Sequence, residues 1–474
     1  MNIYAIFLVV YLIAMLVIGF VFKNKAGSST SSYFIAGRGL GYIVLVATMV
    51  GTALGGSVSM GTVGMAYNGG FYVWTLSLSG ALGYLVLAFM AGKLYRTQAT
   101  TTPDILAARY GQAGRYVASF FNILFNVIVV AGQIMSIGIV LQYILGIDYT
   151  VGMLIATVVF VVYTLFGGMY AVAYTDVIQS IFVLFGLFYV VFFILAKVGG
   201  FGAAMTILEG TAPEGYFDWF SAGGTFISSY FIYTILGIVT MQIIHQRIFA
   251  AKSEMTAKRT MFSLFVVIVI VYIIPPIIGM AARVLIPGQE SPQNALPILV
   301  VEFLPPVAGA IVFISLISIM MSTADSTLLS IASNIVKDFY LPLTNKEGDL
   351  DDESTDKRIV RVSKICVIIM ALVSLFAALN SQFLVAIQIF RLTVCAGAIA
   401  VPLIAALYWK RATRLAGVLS MIFGGGIALI LENVALTTVP SIFISVPVSL
   451  IVLVVVSILQ KAPENVPEWV GFKK

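Results

Sequence analysis

Apolar residues occur along this chain in blocks of about 20 or more, separated by short polar stretches. A block of that length crosses a hydrocarbon layer of roughly 30 Å as a helix. The strands of an outer-membrane barrel would instead alternate apolar and polar side chains over about ten residues. The pattern predicts helices at about 2–22, 39–67, 72–96, 115–145, 149–167, 175–199, 222–248, 261–286, 306–340, 357–379, 383–408, 412–434 and 439–460. Two polar inserts interrupt them. One, about 200–221, is Gly-rich and weakly acidic. The other, about 341–358, contains Asn345-Lys346-Glu347-Gly348-Asp349-Leu350-Asp351-Asp352-Glu353 and reads as a solvated loop. The expected fold class is an all-α polytopic membrane protein of thirteen spans.

Composition agrees with this pattern. Of 474 residues, 61% are apolar and only 10% charged, and the mean hydropathy is +1.07. A soluble domain is about a quarter charged. A soluble enzyme, a disordered chain and a disulfide scaffold are excluded. Cys366 and Cys395 lie inside apolar blocks and read as small core residues. The first block lacks a basic leader and is followed by Lys23 and Lys25, so it is expected to stay as a helix rather than act as a signal peptide.

The net charge of +6 resides in short loops, which speaks for membrane orientation and against a nucleic-acid partner. With the N-terminus outside, 23 of the 26 basic residues fall on the cytoplasmic side, Arg247 among them. Lys197 and Arg283 fall outside, and Arg391 lies within a span. The expected orientation is N-terminus out and C-terminus in, in the plasma membrane, or the inner membrane of a bacterium.

Ionisable groups at bilayer depth are costly and mark functional sites. Asp176 begins the sixth predicted helix, in Gly167-Gly168-Met169-Tyr170-Ala171-Val172-Ala173-Tyr174-Thr175-Asp176-Val177-Ile178-Gln179. It is either a carboxylate favoured by a helix start or a ligand. Asp325 lies in the ninth, where Ser322, Asp325 and Ser326 are spaced i, i+3, i+4 on one face, and Ser330 extends the stripe. Such a row of oxygens suits a hard cation, although hydroxyls also bond back to their own helix. Arg391 lies about eight residues into the eleventh helix, about 12 Å deep. It either pairs with a buried carboxylate such as Asp325 or anchors the carboxylate of a solute. In the second helix, Gly51-Thr52-Ala53-Leu54-Gly55-Gly56-Ser57-Val58-Ser59 reads either as close helix packing or as an unwound stretch whose carbonyls face a cavity. The lone histidine, His245, reads as a satisfied residue near a helix end. The sequence holds no nucleotide-binding Gly-rich loop, nucleophile triad or zinc motif, so an enzyme is not expected.

Three stretches carry a resemblance: Gly167 to Gln179, Met321-Ser322-Thr323 running on to Lys337-Asp338-Phe339-Tyr340, and Gln246-Arg247-Ile248-Phe249-Ala250-Ala251-Lys252-Ser253. Tyr408-Trp409-Lys410-Arg411-Ala412-Thr413 adds a weaker match. On these the chain resembles the sodium:solute symporter family, nearly end to end. The resemblance implies an inverted-repeat transporter of thirteen helices. Residues 39–199 would form the first repeat and 222–408 its inverted partner. An extra N-terminal helix at 2–22 and two extra C-terminal helices at 412–460 would flank them. The second and seventh helices would be discontinuous, although the seventh shows only Gly237 near its middle. Sodium would be the coupling ion, with no other cofactor. Its main site would use Gly51 and Leu54 with Ile319, Ser322 and Thr323. A second cation site would use Asp176, Ser322, Asp325 and Ser326. Here Asp325 stands where many members carry a small or hydroxyl residue, and two nearby carboxylates require a cation or a proton between them.

The expected partner is a small organic solute. The positions that carry polar residues in sugar-transporting members match Val58 and Met241, which counts against a sugar. Arg391, absent from the family pattern, favours an amino acid or carboxylate. Ser57, Gln133, Tyr233, Gln242 and Gln388 are further candidates for the cavity, each also able to bond between helices. Proton coupling or exchange within the same fold is the alternative left open by Asp325. A non-transporting sensor is disfavoured because the chain runs only about fourteen residues past the last predicted helix, with no signalling domain. A channel would show a repeated filter motif, and none is visible.

Overall fold

The computed structural model describes residues 3–26, 29–344, 353–381, 384–434 and 438–471. The side chains of Ser57, Val58 and Gln388 lie outside the described residues, as does the run 345–352. Among the described residues the chain is helical throughout, with one isolated parallel bridge between Leu40 and Ala251. Among the described residues, ten helices are long and apolar enough to cross a membrane. The remaining three predicted segments hold shorter apolar helices, Ile3–Ile18, Tyr42–Ala53 and Tyr149–Val162.

The elements that position the site are α1 (Ile3–Ala26), α2 (Tyr42–Ala53), α3 (Gly56–Gly69), α4 (Tyr72–Arg96), α5 (Thr102–Leu145), α6 (Tyr149–Val198), α7 (Gly224–Val239), α8 (Gln242–Phe249), α9 (Glu254–Val271), α10 (Ile274–Leu285) and α11 (Pro306–Ser333). The last part of the chain adds α12 (Glu353–Leu379), α13 (Leu384–Cys395), α14 (Val401–Tyr408), α15 (Arg414–Asn433) and α16 (Ile442–Leu459). Starts follow local chemistry. Thr101 caps α5 in a reciprocal capping box with Asp104, and Ser253 caps α9 by accepting from the Thr256 N–H. Burial is most complete along α11, where every residue from Val312 to Ser333 is buried. A helix enclosed on all sides is one that other helices surround rather than lipid.

Several predicted spans are not single straight helices. The segment predicted at 39–67 is two helices, α2 and α3, parted at Leu54 and Gly55, in keeping with its glycines. The segment predicted at 222–248 is also two, α7 and α8, parted at Thr240 and Met241 with no glycine at the break. The segments predicted at 149–167 and 175–199 are two helices, here labelled together as α6, that part at Gly168, where the backbone is not helical, so the second starts earlier than predicted. The Gly168 φ of 49° lies in the left-handed region that a side chain disfavours, which is why the turn falls on this glycine. The polar insert at 200–221 begins with a helix, Phe201–Thr211. The long α11 packs against α6 and α5 and forms the wall that both broken helices face.

Candidate functional site

The break between α2 and α3 frees backbone groups that need partners inside the fold. The Gly56 N–H is taken by Gln133 Oε1 at 2.7 Å. The Thr52 carbonyl accepts from Thr323 Oγ1 at 3.3 Å, and the same hydroxyl reaches the Ile319 carbonyl at 3.0 Å. Gly51 is buried against α11: a Cβ built there would lie 2.8 Å from Ser322 Oγ. The structure therefore gathers Gly51, Leu54, Ile319, Ser322 and Thr323 at the break. The groups seen to meet there are the Thr52 and Ile319 carbonyls and the Ser322 and Thr323 hydroxyls, and oxygens of this kind suit a hard cation.

The same Ser322 Oγ donates to Asp176 Oδ1 at 2.5 Å. Thr48 donates to the other oxygen, Oδ2. That oxygen also meets Arg247 Nη2 at 3.1 Å, and both residues are fully buried. The guanidinium is otherwise filled: Nη2 donates to Ser326 Oγ at 2.6 Å, Nε to Thr48 Oγ1 at 2.9 Å and Nη1 to the Ile243 carbonyl at 3.0 Å. Asp325 joins the same neighbourhood. Its Oδ1 accepts from the Ser326 N–H at 2.5 Å, and its Oδ2 is buried without a hydrogen-bond donor. Asp176, Ser322, Asp325 and Ser326 are thus brought together, but around an arginine that the charge pattern counts on the cytoplasmic side. Arg247 lies in the last turn of α8, which is packed inside the protein rather than emerging from it. The available signal is a basic residue inside the predicted 222–248 span.

Arg391 lies elsewhere. Its ionisable neighbours are Cys395, Tyr84, Tyr272 and Tyr230, not Asp325. Its guanidinium carbon sits 4.9 Å from the Phe125 ring centre. It borders a cavity of about 100 Å³. Ala53 and Met241, at the two helix breaks, line the same cavity, along with Tyr84, Tyr230, Tyr233, Thr234 and Tyr272. Of the other candidates, Tyr233 lines this space, whereas Gln133 and Gln242 bond between helices. Gln242 Oε1 accepts from the Thr102 N–H at 3.3 Å and its amide donates to Asn334. His245 is fully buried, with Nδ1 2.7 Å from Thr102 Oγ1.

The family model described as "Sodium:solute symporter family" matches residues 33–424. A sodium/pantothenate symporter of Haemophilus influenzae is 25% identical over 429 residues, 87% of each chain. The osmoregulated proline transporter OpuE of Bacillus subtilis is 25% identical over 471 residues, 96% of this chain and 94% of its own. Among solved structures, a Na+-coupled sialic acid symporter in a substrate-bound outward-open state superposes with a TM-score of 0.84 at 21% identity, over 98% of each chain. A nucleobase-cation-symport-1 family transporter superposes with a TM-score of 0.63 at 17% identity, over 90% of this chain and 93% of its own.

Proposed function

We infer the function of this chain from one premise: the chain belongs to the sodium:solute symporter family. It is a multi-pass membrane protein and a sodium-coupled symporter of a small solute. Its relatives are transporters rather than enzymes. Sodium binds where α2 breaks against α11. Its ligands are the backbone carbonyls of Gly51, Leu54 and Ile319 and the hydroxyls of Ser322 and Thr323. The observation that carries this reading is the meeting of Thr323 Oγ1 with the Thr52 and Ile319 carbonyls at the break. Sodium bound there draws α2 and α11 together. It favours the state that accepts solute, because an ion shifts a conformational equilibrium only by binding one state better.

A second cation belongs beside Asp325. Two carboxylates, Asp176 and Asp325, face a single guanidinium in a dry interior, so one negative charge is left over. The Asp325 Oδ2, Ser322 and Ser326 oxygens are the ligands this leaves. The fold is read as two inverted repeats, 39–199 and 222–408. The matching breaks at Leu54–Gly55 and Thr240–Met241 support this. The protein resides in the plasma membrane, and its solute is a small amino acid or carboxylate.

The first test is thermal unfolding of the purified protein in sodium and in potassium. A ligand of the folded state raises the midpoint by mass action. Sodium is expected to raise it over potassium in the wild-type chain. Ser322→Ala and Thr323→Ala are expected to need at least about tenfold more sodium for the same rise, the equivalent of about 1.4 kcal/mol. Equal midpoints in the two salts would overturn the reading.

A further inference from the structure

We propose that the segment 467–471, beyond the last helix, is a latch. It clasps Lys93 of α4 to the turn after α14, and it must let go before the protein opens at that end. The inference goes beyond the sodium site. It rests on the symport reading only for the premise that the protein alternates between two states.

Lys93 lies in the last turn of α4, where a lysine ordinarily reaches water. Here it is only 7% exposed. Two groups from the last part of the chain hold its ammonium inside. It donates to the Gly471 carbonyl and sits 4.1 Å from the centre of the Tyr408 ring. A carbonyl oxygen and an aromatic face are both partners that suit a cation. The segment is anchored in turn. The Gly471 N–H donates to the Leu407 carbonyl at 3.0 Å, and the Val470 N–H closes a turn on the Pro467 carbonyl at 2.9 Å. Val470 is buried, and Trp469 packs on the core.

The two sides of the clasp belong to different bodies. Helix α4 packs against α3, α7, α8 and α9, so it travels with the broken helices. The turn after α14 is fixed to the wall instead. Arg109 of α5 donates to the Trp409 and Lys410 carbonyls at 3.2 and 2.6 Å, and α14 and α15 pack on α5. A bond between two bodies at one rim resists their parting there. This one rests on a short non-helical segment, so it can release while every helix stays formed. While it holds, it favours the state that is closed at this rim, because it is made in that state alone.

Thr102 can report the opening. It is fully buried where α5 meets α8, with its hydroxyl 2.7 Å from His245 Nδ1. In chains whose Cys366 and Cys395 are replaced by serine, Thr102→Cys is labelled with N-ethylmaleimide in detergent and sodium, and the rate is measured. Lys93→Met, which removes the charge and keeps most of the stem, is expected to raise the rate about tenfold, the loss of one charge-assisted hydrogen bond. Trp469→Ala and Val470→Asn loosen the segment without touching a helix, and each is expected to raise the rate about threefold. Gly424→Val, overpacked far from the clasp, is expected to leave the rate unchanged, which separates release of the latch from general loss of stability. Two results each overturn the proposal. One is an unchanged rate in both segment variants, whether or not Lys93→Met folds. The other is an equal rise in Gly424→Val. A thermal midpoint of the unaltered chain that ignores sodium would instead overturn the symport reading, so the two failures are told apart.

Discussion

Four acceptors surround the Arg247 guanidinium: Thr48, Asp176, Ser326 and the Ile243 carbonyl. Removing one partner of a buried pair leaves the other charge uncompensated, which costs about 3–5 kcal/mol, whereas replacing both is far milder. Arg247→Met is therefore expected to lower stability by about that amount, and Asp176→Asn in the same chain to restore most of it. A double-mutant cycle by denaturant unfolding in detergent checks this; simple additivity of the two losses would argue against the pair. The residues of this site are unequally legible in the sequence. Asp176 and the Ser322–Asp325–Ser326 face stand out because carboxylates and clustered hydroxyls are rare at bilayer depth. Arg247 does not, because a basic residue at the end of an apolar block is the ordinary mark of a loop. Only the inward packing of α8 makes it a core residue.

Among the elements, glycines set how closely helices approach. A Cβ on Gly424 of α15 would overlap the Gly397 carbonyl oxygen and lie 2.7 Å from Ser449 Cβ, whereas one on Gly426 meets nothing within 4 Å. Small residues at such a crossing let two backbones touch. Gly424→Val is expected to cost about 1–3 kcal/mol by overpacking, and Gly426→Val almost nothing. Thermal midpoints of the two variants in one detergent check the contrast, and equal losses would count against it. The two helix breaks show what pattern alone conveys. The break at Leu54–Gly55 follows from local glycines. The break at Thr240–Met241 has no such signal, since Thr240 and Met241 are ordinary helix residues and the interruption comes from tertiary packing. The parting at Gly168 again falls on a glycine. The pattern predicts two helices there, and the chain does form two, with the second starting seven residues earlier than the pattern places it.

Across the whole molecule, charge placement gives the expected orientation: 23 of 26 basic residues on one side, or 22 once Arg247 is moved to the core. That change leaves the bias intact. Glu209 and Glu464 are exposed and lie in segments assigned to opposite faces. In chains whose Cys366 and Cys395 are replaced by serine, Glu209→Cys is expected to react with an impermeant maleimide in intact cells. Glu464→Cys is expected to react only after permeabilisation. The reverse pattern would invert the topology. The position of Arg247 also bears on how such a molecule could change shape. Its bonds to α2, α6 and α11 radiate from one buried guanidinium. Turning the broken helices about that point alters their lengths little, while sliding them along the wall would break every one. A body held this way tilts like a beam on a fulcrum. Its displacement grows with distance from the pin, and the two rims of the protein travel furthest while the middle stays nearly still.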